Sequence, residues 1–295
     1  MSTKNISIDF TRHPNSAASR SRGLPVMHEL TLTYALSLIV AAIMTVASVA
    51  GILYQTVIYP ADELLLSFIP SDIFNLALGV PILLGSTWLA KRGALIGLLS
   101  WPGALFYVLY MYIPYLIGVP FNVLFLPYLI LVTLSAYTLI GLIESIDGEA
   151  VRQELAGSVP AKISAGILVG LAILIIVRQG TLIFTALTNE TPVSTIELSS
   201  WIADFSVAIP ALLVIGVTLW RGKTLGYVAG AGLLLGYGLL ALSVIPFFVI
   251  EAHNTASPVD VSGVAAILVM AALCFISLAF FLRGAASSRR LSATN

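Results

Sequence analysis

Charge is scarce in this chain: Asp, Glu, Lys and Arg make up 9% of its 295 residues, while apolar types make up 59%. Soluble proteins carry roughly 25% charged residues. So little charge cannot coat a water-soluble fold with this much apolar surface. A lipid solvent removes the difficulty, because hydrocarbon accepts apolar side chains directly. Cysteine is nearly absent too. The single Cys274 lies in an apolar run, has no partner for an internal disulfide, and leaves the redox compartment unread. The net charge of zero argues for neither nucleic acid nor an acidic substrate, and no nucleic-acid partner is expected. Catalytic signatures are missing: there is no Gly-x-Ser-x-Gly, no His-Glu-x-x-His, no phosphate-binding glycine loop and no Cys-x-x-Cys. No cofactor is implied. Of the histidines, His13 and His28 are isolated, and His253 shares a loop with Glu251 and Asp260 without metal-ligand spacing, so no metal site is assigned.

What is present is long apolar runs. A spanning helix needs about 20 mostly apolar residues. Eight stretches qualify: 31–54, 73–90, 94–116, 121–143, 163–186, 200–220, 224–249 and 261–283. The first is too long for a signal-peptide core ending at Ser48-Val49-Ala50, and it continues past that site. Leu64–Ile69 is too short to span and is expected at the interface or folded back. Residues 1–29 lack apolar periodicity and read as a disordered cytoplasmic tail, with Met27 an alternative start. Residues 144–162 mix acids and bases and predict a short amphipathic connector helix.

The loops predict orientation. Thirteen of the fourteen Lys and Arg residues fall in alternate hydrophilic segments: the N-terminal tail, Lys91/Arg92, Arg152/Lys162, Arg221/Lys223 and Arg283/Arg289/Arg290. The intervening loops hold Asp62, Glu63, Glu190, Glu197, Glu251 and Asp260 and no basic residue. The positive-inside rule puts the basic set and both termini in the cytoplasm, with the chain in the plasma or inner membrane. Tyr110, Tyr112 and Tyr115 then fall at the outer end of the third span, where an aromatic belt is expected. Asn189-Glu190-Thr191 matches a glycosylation acceptor on the outer side, relevant only in a eukaryote.

Sliding the chain by 129 residues aligns 73–105 with 202–234 without a gap. The pairs Pro81/Pro210, Arg92/Arg221, Gly93/Gly222, Gly97/Gly226 and Gly103/Gly232 are identical. The expected fold class is therefore all-α: an integral membrane helical bundle of about eight transmembrane helices in two parallel four-helix repeats. These are residues 30–148 and 163–284, joined by a connector at 149–162 and followed by a cytoplasmic tail at 285–295. Coincidence between two glycine-rich hairpins is the competing account. Gly93/Gly97, Gly222/Gly226 and Gly226/Gly230 form small-x-x-x-small pairs suited to close helix packing, as do Gly232/Gly236 and Gly166/Gly170. They serve either contacts within the bundle or a dimer face on the seventh span. Prolines 81, 102, 114, 127, 210 and 246 are expected to kink their helices.

Arg178 is the only basic residue inside a span, and a lipid-facing arginine there would cost several kcal/mol, which calls for a partner. Asp204, one turn into the sixth span, is the natural partner. Asn75 is its counterpart in the repeat, and Asp72 sits at the mouth of the second span. Together Arg178, Asp204, Asn75 and Asp72 predict a polar site between the repeats, open to an anion, a cation or a proton. The alternatives are a register-fixing salt bridge or an arginine that snorkels. Asn122 is expected to cap the fourth span.

The stretch from Asp72 to Leu142 resembles a group of uncharacterised multi-pass membrane proteins of bacteria and archaea. The resemblance rests on Leu-Gly-Val-Pro-Ile-Leu-Leu-Gly at 78–85, Ala-Lys-Arg-Gly at 90–93, Trp-Pro-Gly-Ala-Leu at 101–105 and Pro-Phe-Asn at 120–122. It implies a prokaryotic source and carries over no activity and no functional residue. Three functions then compete: a small-molecule or ion binding and transport module, a membrane scaffold or accessory subunit, and a lipid-modifying enzyme. A transporter predicts a polar cavity reaching the repeat interface, and a scaffold predicts a tight bundle with an exposed small-residue face; a second copy or another membrane protein is a candidate partner. An enzyme predicts titratable groups converging at headgroup depth.

Overall fold

The computed structural model describes residues 24–249 and 261–293. Among the described residues there is no strand, and eight helices are long and apolar enough to cross a bilayer. The chain is an all-helical, multi-pass membrane protein. In order the elements are α1 (Thr31–Leu53), α2 (Asp62–Lys91), α3 (Leu95–Gly118), α4 (Phe125–Ser145) and the short α5 (Gly148–Leu155). Then come α6 (Ala161–Thr188), α7 (Thr195–Trp220), α8 (Thr224–Val249) and α9 (Val261–Ala293).

Several expectations are corrected. The second span begins at Asp62, so Leu64–Ile69 is its first half and not an interfacial piece. Pro70 and Asp72 interrupt the apolar run in sequence, but neither ends the helix. The expected tail is docked at its end: Val26 bridges Ile146, Met27 N donates to Ser145 O at 2.8 Å, and Asp147 N donates to Pro25 O at 2.9 Å. Residues 1–23 lie outside the described residues. Past residue 284 the chain continues as helix to Ala293. Asn122 does not cap α4 directly. Its Oδ1 accepts from Leu124 N at 2.8 Å in the turn that precedes Phe125.

The connector helix forms as expected. Asp147 caps α5 by accepting from Ala150 N at 3.0 Å. Val151 and Leu155 bury its apolar face against α8 and α9. On the exposed face Glu149 and Arg152 pair at 2.9 Å, and the hydrogen bond from Arg152 holds the Glu149 carboxyl below its usual range.

Helices α3 and α8 form the centre. Both are apolar on every side, which suits a helix that meets protein all round. They cross where backbone meets backbone. Gly103 lies against the Gly232 carbonyl with no room for a Cβ, and a Cβ on Gly236 would fall 2.7 Å from Gly103 O.

Each central helix is fed by the same turn. The α2–α3 turn places Gly93 at φ 78°, and the α7–α8 turn places Gly222 at φ 66°. That left-handed conformation favours glycine, and each turn ends its helix with a bond back across it, Ala94 N to Leu89 O and Lys223 N to Thr218 O.

The glycines expected to pack helices therefore divide into three kinds. Gly97 and Gly226 do admit a neighbouring main chain, Gly97 against Ala90 and Gly226 against Leu219, and neither has room for a Cβ. Gly93 and Gly222 are not packing residues. A Cβ on either would meet nothing within 4 Å, so the turn conformation alone requires them. Gly230 is a correction as well. A Cβ there would stand 3.3 Å from Leu219 Cδ2 and 3.5 Å from Phe281 Cζ. Gly230 thus faces the far ends of two flexible side chains, from α7 and α9, and no backbone comes close to it. The small-x-x-x-small spacing continues up α8, but at Gly230 side chains fill the space that main chain fills at Gly226. The glycines of α8 serve contacts inside the chain and present no dimer face.

Helices α2 and α7 share a further irregularity. Residues Asn75–Gly79 and Asp204–Ala208 form single π-helical turns, closed by Val80 N to Asn75 O and Ile209 N to Asp204 O. Pro81 and Pro210 follow within two residues. A proline removes the donor that a regular α-helical carbonyl would need, so the wider turn loses little there.

The crossing at Gly103 sets a test. Gly103→Ala and Gly232→Ala are each expected to destabilise the bundle by about 1–3 kcal/mol, the usual cost of overpacking, seen as a lowered melting temperature in detergent. Gly85→Ala, where a Cβ meets nothing within 4 Å, is expected to melt at or above the wild-type temperature.

Candidate functional site

Two groups of buried polar side chains gather around carboxyls within the spans, one at each π turn. The first is built on α2. Asp72 is 1% exposed and Asn75 is 0% exposed. Asp72 lies ten residues into α2, roughly 15 Å along its axis, so it is an intramembrane carboxyl and not an interfacial helix-start residue. Tyrosines supply its donors. Tyr59 OH donates to Asp72 Oδ2 at 2.7 Å and Tyr115 OH donates to Oδ1 at 3.0 Å. Tyr107 OH donates to Asn75 Oδ1 at 2.7 Å, and Asn75 Nδ2 donates to Ser48 Oγ and Tyr112 OH, both at 3.4 Å. Tyr128 closes the group with its hydroxyl 3.5 Å from that of Tyr59.

The tyrosines of α3 are therefore not a headgroup belt. Tyr112 is 0% and Tyr115 is 1% exposed, and their rings pack on each other and on Tyr128. A carboxyl and an amide in hydrocarbon need donors that cost little to bury, and a phenol brings one on a large apolar ring. Tyr59 precedes α2, and burial, with the Asp72 carboxyl beside it, pushes its hydroxyl well above the usual phenol range, so it stays a donor. Packing is close as well, for Gly51 lies against the Asp72 carboxylate with no room for a Cβ.

The second group is built on α7. Asp204 is 5% exposed and takes two donors: Tyr110 OH to Oδ1 at 2.7 Å and Gln179 Nε2 to Oδ2 at 2.5 Å. Arg178 is not its direct partner. The guanidinium is on the exposed side of α6, and its Nη1 donates to Gln179 Oε1 at 3.4 Å. Gln179 stands between cation and carboxylate. One residue of helix is 100° of rotation, so Gln179 points inward where Arg178 cannot. Sequence reasoning misses both Gln179 and Tyr110, which it places in an outer belt. A signal for Gln179 does exist: in a span, the uncharged polar neighbour of an arginine is the better candidate for the buried side.

The four candidate residues do not form one constellation. Asp72 and Asn75 share the tyrosine cluster of α3, while Asp204 belongs with Gln179 and Tyr110, and Arg178 hangs on its edge. Among the described residues, Thr138 Oγ1 is the one buried side-chain polar atom without a hydrogen-bond partner, and it lies in neither group. No cluster of three metal-ligating residues occurs among the described residues. Glu251, His253 and Asp260 lie outside them. A cavity of about 200 Å³ is far from both groups and is lined by Ala94, Leu95, Ile96, Ala285 and Ala286. Comparison with known proteins finds no matching family model, no matching curated protein and no matching solved structure.

Separate groups should behave independently. Asp72→Asn and Asp204→Asn are each expected to destabilise by about 1–3 kcal/mol, because each sets an amide donor against a hydroxyl or amide donor. Their effects should add within about 0.5 kcal/mol, since they share no partner. Thermal or denaturant melts of the two single variants and the double variant measure this. A coupling well beyond that margin would mean one joint site.

Proposed function

We propose that the chain is a membrane scaffold or accessory subunit, built from two parallel four-helix halves with its basic end in the cytoplasm. The observation that carries this reading is the closure of the buried polar groups. Both carboxylate oxygens of Asp72 and of Asp204, and both ends of the Asn75 amide, are engaged by side chains of this chain. A substrate site needs unmet donors or acceptors facing a space, and these face each other. The packing at Gly51 and at the Gly103–Gly232 crossing points the same way, since a gate needs room to move. A lipid-modifying enzyme needs convergent groups at headgroup depth, whereas both carboxyls here lie well inside their spans.

The two halves are supported by matched irregularities. Both π turns, both left-handed glycines and both helix-contacting glycines fall 129 residues apart. Gly103 and Gly232, themselves 129 apart, touch each other. Equivalent residues meet in this way where a two-fold axis passes between them. An even number of helices per half sets that axis along the membrane normal. The cytoplasmic placement of the basic end rests on the alternation of Lys and Arg among the loops. The kinship with prokaryotic multi-pass proteins of unassigned activity rests on the motifs at 78–85, 90–93, 101–105 and 120–122.

One feature favours a second reading, a small-molecule or ion binding and transport module. π-Helical turns recur at functional sites, and here each carries a buried polar side chain.

The two readings separate in a melting experiment on purified protein against a panel of ions, metabolites and lipids, with Asp204→Asn beside it. The scaffold reading expects no member of the panel to raise the wild-type midpoint, and an earlier melt for the variant. A ligand at about 100 times its dissociation constant adds roughly 2.7 kcal/mol. A compound that stabilises the wild type that strongly and leaves Asp204→Asn unmoved would overturn the scaffold reading in favour of transport.

A further inference from the structure

Arg178 faces out of the bundle at hydrocarbon depth. Helix α6 runs 17 residues before it and ten after it, so the arginine lies roughly 5 Å from the midpoint of a helix roughly 42 Å long. Snorkelling to the nearer headgroups is opposed by geometry, because the Cα–Cβ bond tilts toward the N-terminal end of the helix and so away from them. Of its five N–H donors, one reaches Gln179 Oε1 at 3.4 Å. Gln179 is in turn held by Asp204, so the guanidinium is set in place from behind and presents its remaining donors outward. Cations at this depth face the interior of a bundle and pair there. By that rule the surface around Arg178 is the inside of a larger assembly.

The neighbouring surface fits a helix. Gly166 and Gly170 are exposed on α6, and a Cβ on Gly170 would meet nothing within 4 Å. Two turns further along, Arg178 flanks the same stripe. The first half shows what an occupied face looks like: α1 packs on α4 more extensively than α6 packs on α9, which it meets through the buried Ser164–Ser277 hydroxyl pair. A second copy of this chain does not supply the missing charge. The carboxyls deep in its described spans are Asp72 and Asp204, both buried and engaged. A two-fold pairing on α6 would also set like charges on one face.

We infer that α6 is the docking face for a transmembrane helix of another membrane protein. That helix lies across Gly166 and Gly170 and carries one Glu or Asp opposite Arg178. The inference rests on the scaffold reading and names the class of partner that such a scaffold holds.

The test uses the full chain, carrying a donor fluorophore on a C-terminal tag, in phosphatidylcholine vesicles. The probe is a synthetic leucine-rich spanning peptide with one Glu placed ten residues from its outer end and an acceptor fluorophore. Saturable energy transfer is expected with this peptide. Changing its Glu to Gln should weaken binding about ten-fold or more, as loss of a charge-assisted contact in hydrocarbon would. Arg178→Leu should lose the same factor, Arg178→Lys should recover most of it, and Gly170→Leu should weaken binding while the charge stays. Because both side chains point outward, these variants should melt with the wild type, which separates lost docking from lost folding.

Absence of saturable transfer with the Glu peptide overturns the inference, as does equal binding of the Glu and Gln peptides. Energy transfer between donor-labelled and acceptor-labelled copies of the chain that unlabelled Glu peptide abolishes would assign the face to self-association and overturn it too. So would loss of binding when phosphatidylglycerol replaces part of the lipid, because the arginine would then be holding headgroups. Failure of the scaffold reading is seen elsewhere, in a ligand whose stabilisation needs Asp204, whatever the peptide does.

Discussion

Close approach of two backbones at Gly103 and Gly232 is the constraint from which the rest of the arrangement follows. In lipid, helices gain little from hiding apolar surface, because the tails outside are as apolar as the leucines inside. Association depends on how near two helices can come and how many atoms then touch. Bare glycine faces on α3 and α8 let their main chains meet directly. Once these two helices are fixed at the centre, α2 and α7 are tied to them by short Arg-Gly turns and by Gly97 and Gly226, which admit Ala90 and Leu219 to backbone contact. The outer helices then pack on this frame, and the α5 connector pins the base through Val151 and Leu155.

The same closeness explains how Asp72 and Asp204 are carried on neutral donors. A salt bridge in hydrocarbon pays the desolvation cost of two ions, and a tyrosine or amide donor replaces the second ion with a neutral group that costs less to bury. Helix α3 is surrounded by protein, so it can offer hydroxyls on opposite faces at once. Tyr107, Tyr112 and Tyr115 turn toward α2, while Tyr110 turns toward α7. Each carboxylate sits at or just before a π turn, where the helix has widened and a proline follows. The irregular backbone and the polar side chain are thus accommodated at one level of the membrane rather than two.

Much of this is legible in the sequence, for reasons that can be traced. Long apolar runs announce spans, because hydrocarbon tolerates little else over about 30 Å. Amphipathic spacing announces α5, since its burial pattern is the ordinary one for a helix lying on protein. The Arg-Gly turns are visible because left-handed backbone favours glycine. Spacing alone does not say which glycine meets a main chain and which meets only side-chain ends, as Gly226 and Gly230 show one helical turn apart. The start of α2 is not visible either. Pro70 and Asp72 look like the end of an apolar segment until Tyr59, in the preceding loop, and Tyr115, far away in sequence, are known to satisfy the carboxyl. The partner of Asp204 is hidden for a related reason. Charge invites pairing with charge, so Arg178 draws attention that belongs to Gln179, and the facing of a single helix residue decides between them. The π turns are marked only by Pro81 and Pro210, which in sequence predict a kink and do not say how it is absorbed.

The two proposed halves differ in one respect that bears on what the molecule is for. In the first, the polar group at the π turn is enclosed: α1, α3, α4 and the segment around Tyr59 all send a side chain into it, and almost nothing of Asp72 or Asn75 reaches the outside. In the second, the corresponding group is a chain of contacts that runs outward, from Tyr110 through Asp204 and Gln179 to Arg178 on the surface of α6. A duplicated framework whose function were an internal passage would be expected to keep both groups facing the shared axis. Here glycine meets glycine where the proposed axis would pass, and the second polar group leads away from that crossing. On the proposed scaffold reading, that outward course from a closed core leads to where a partner would be met.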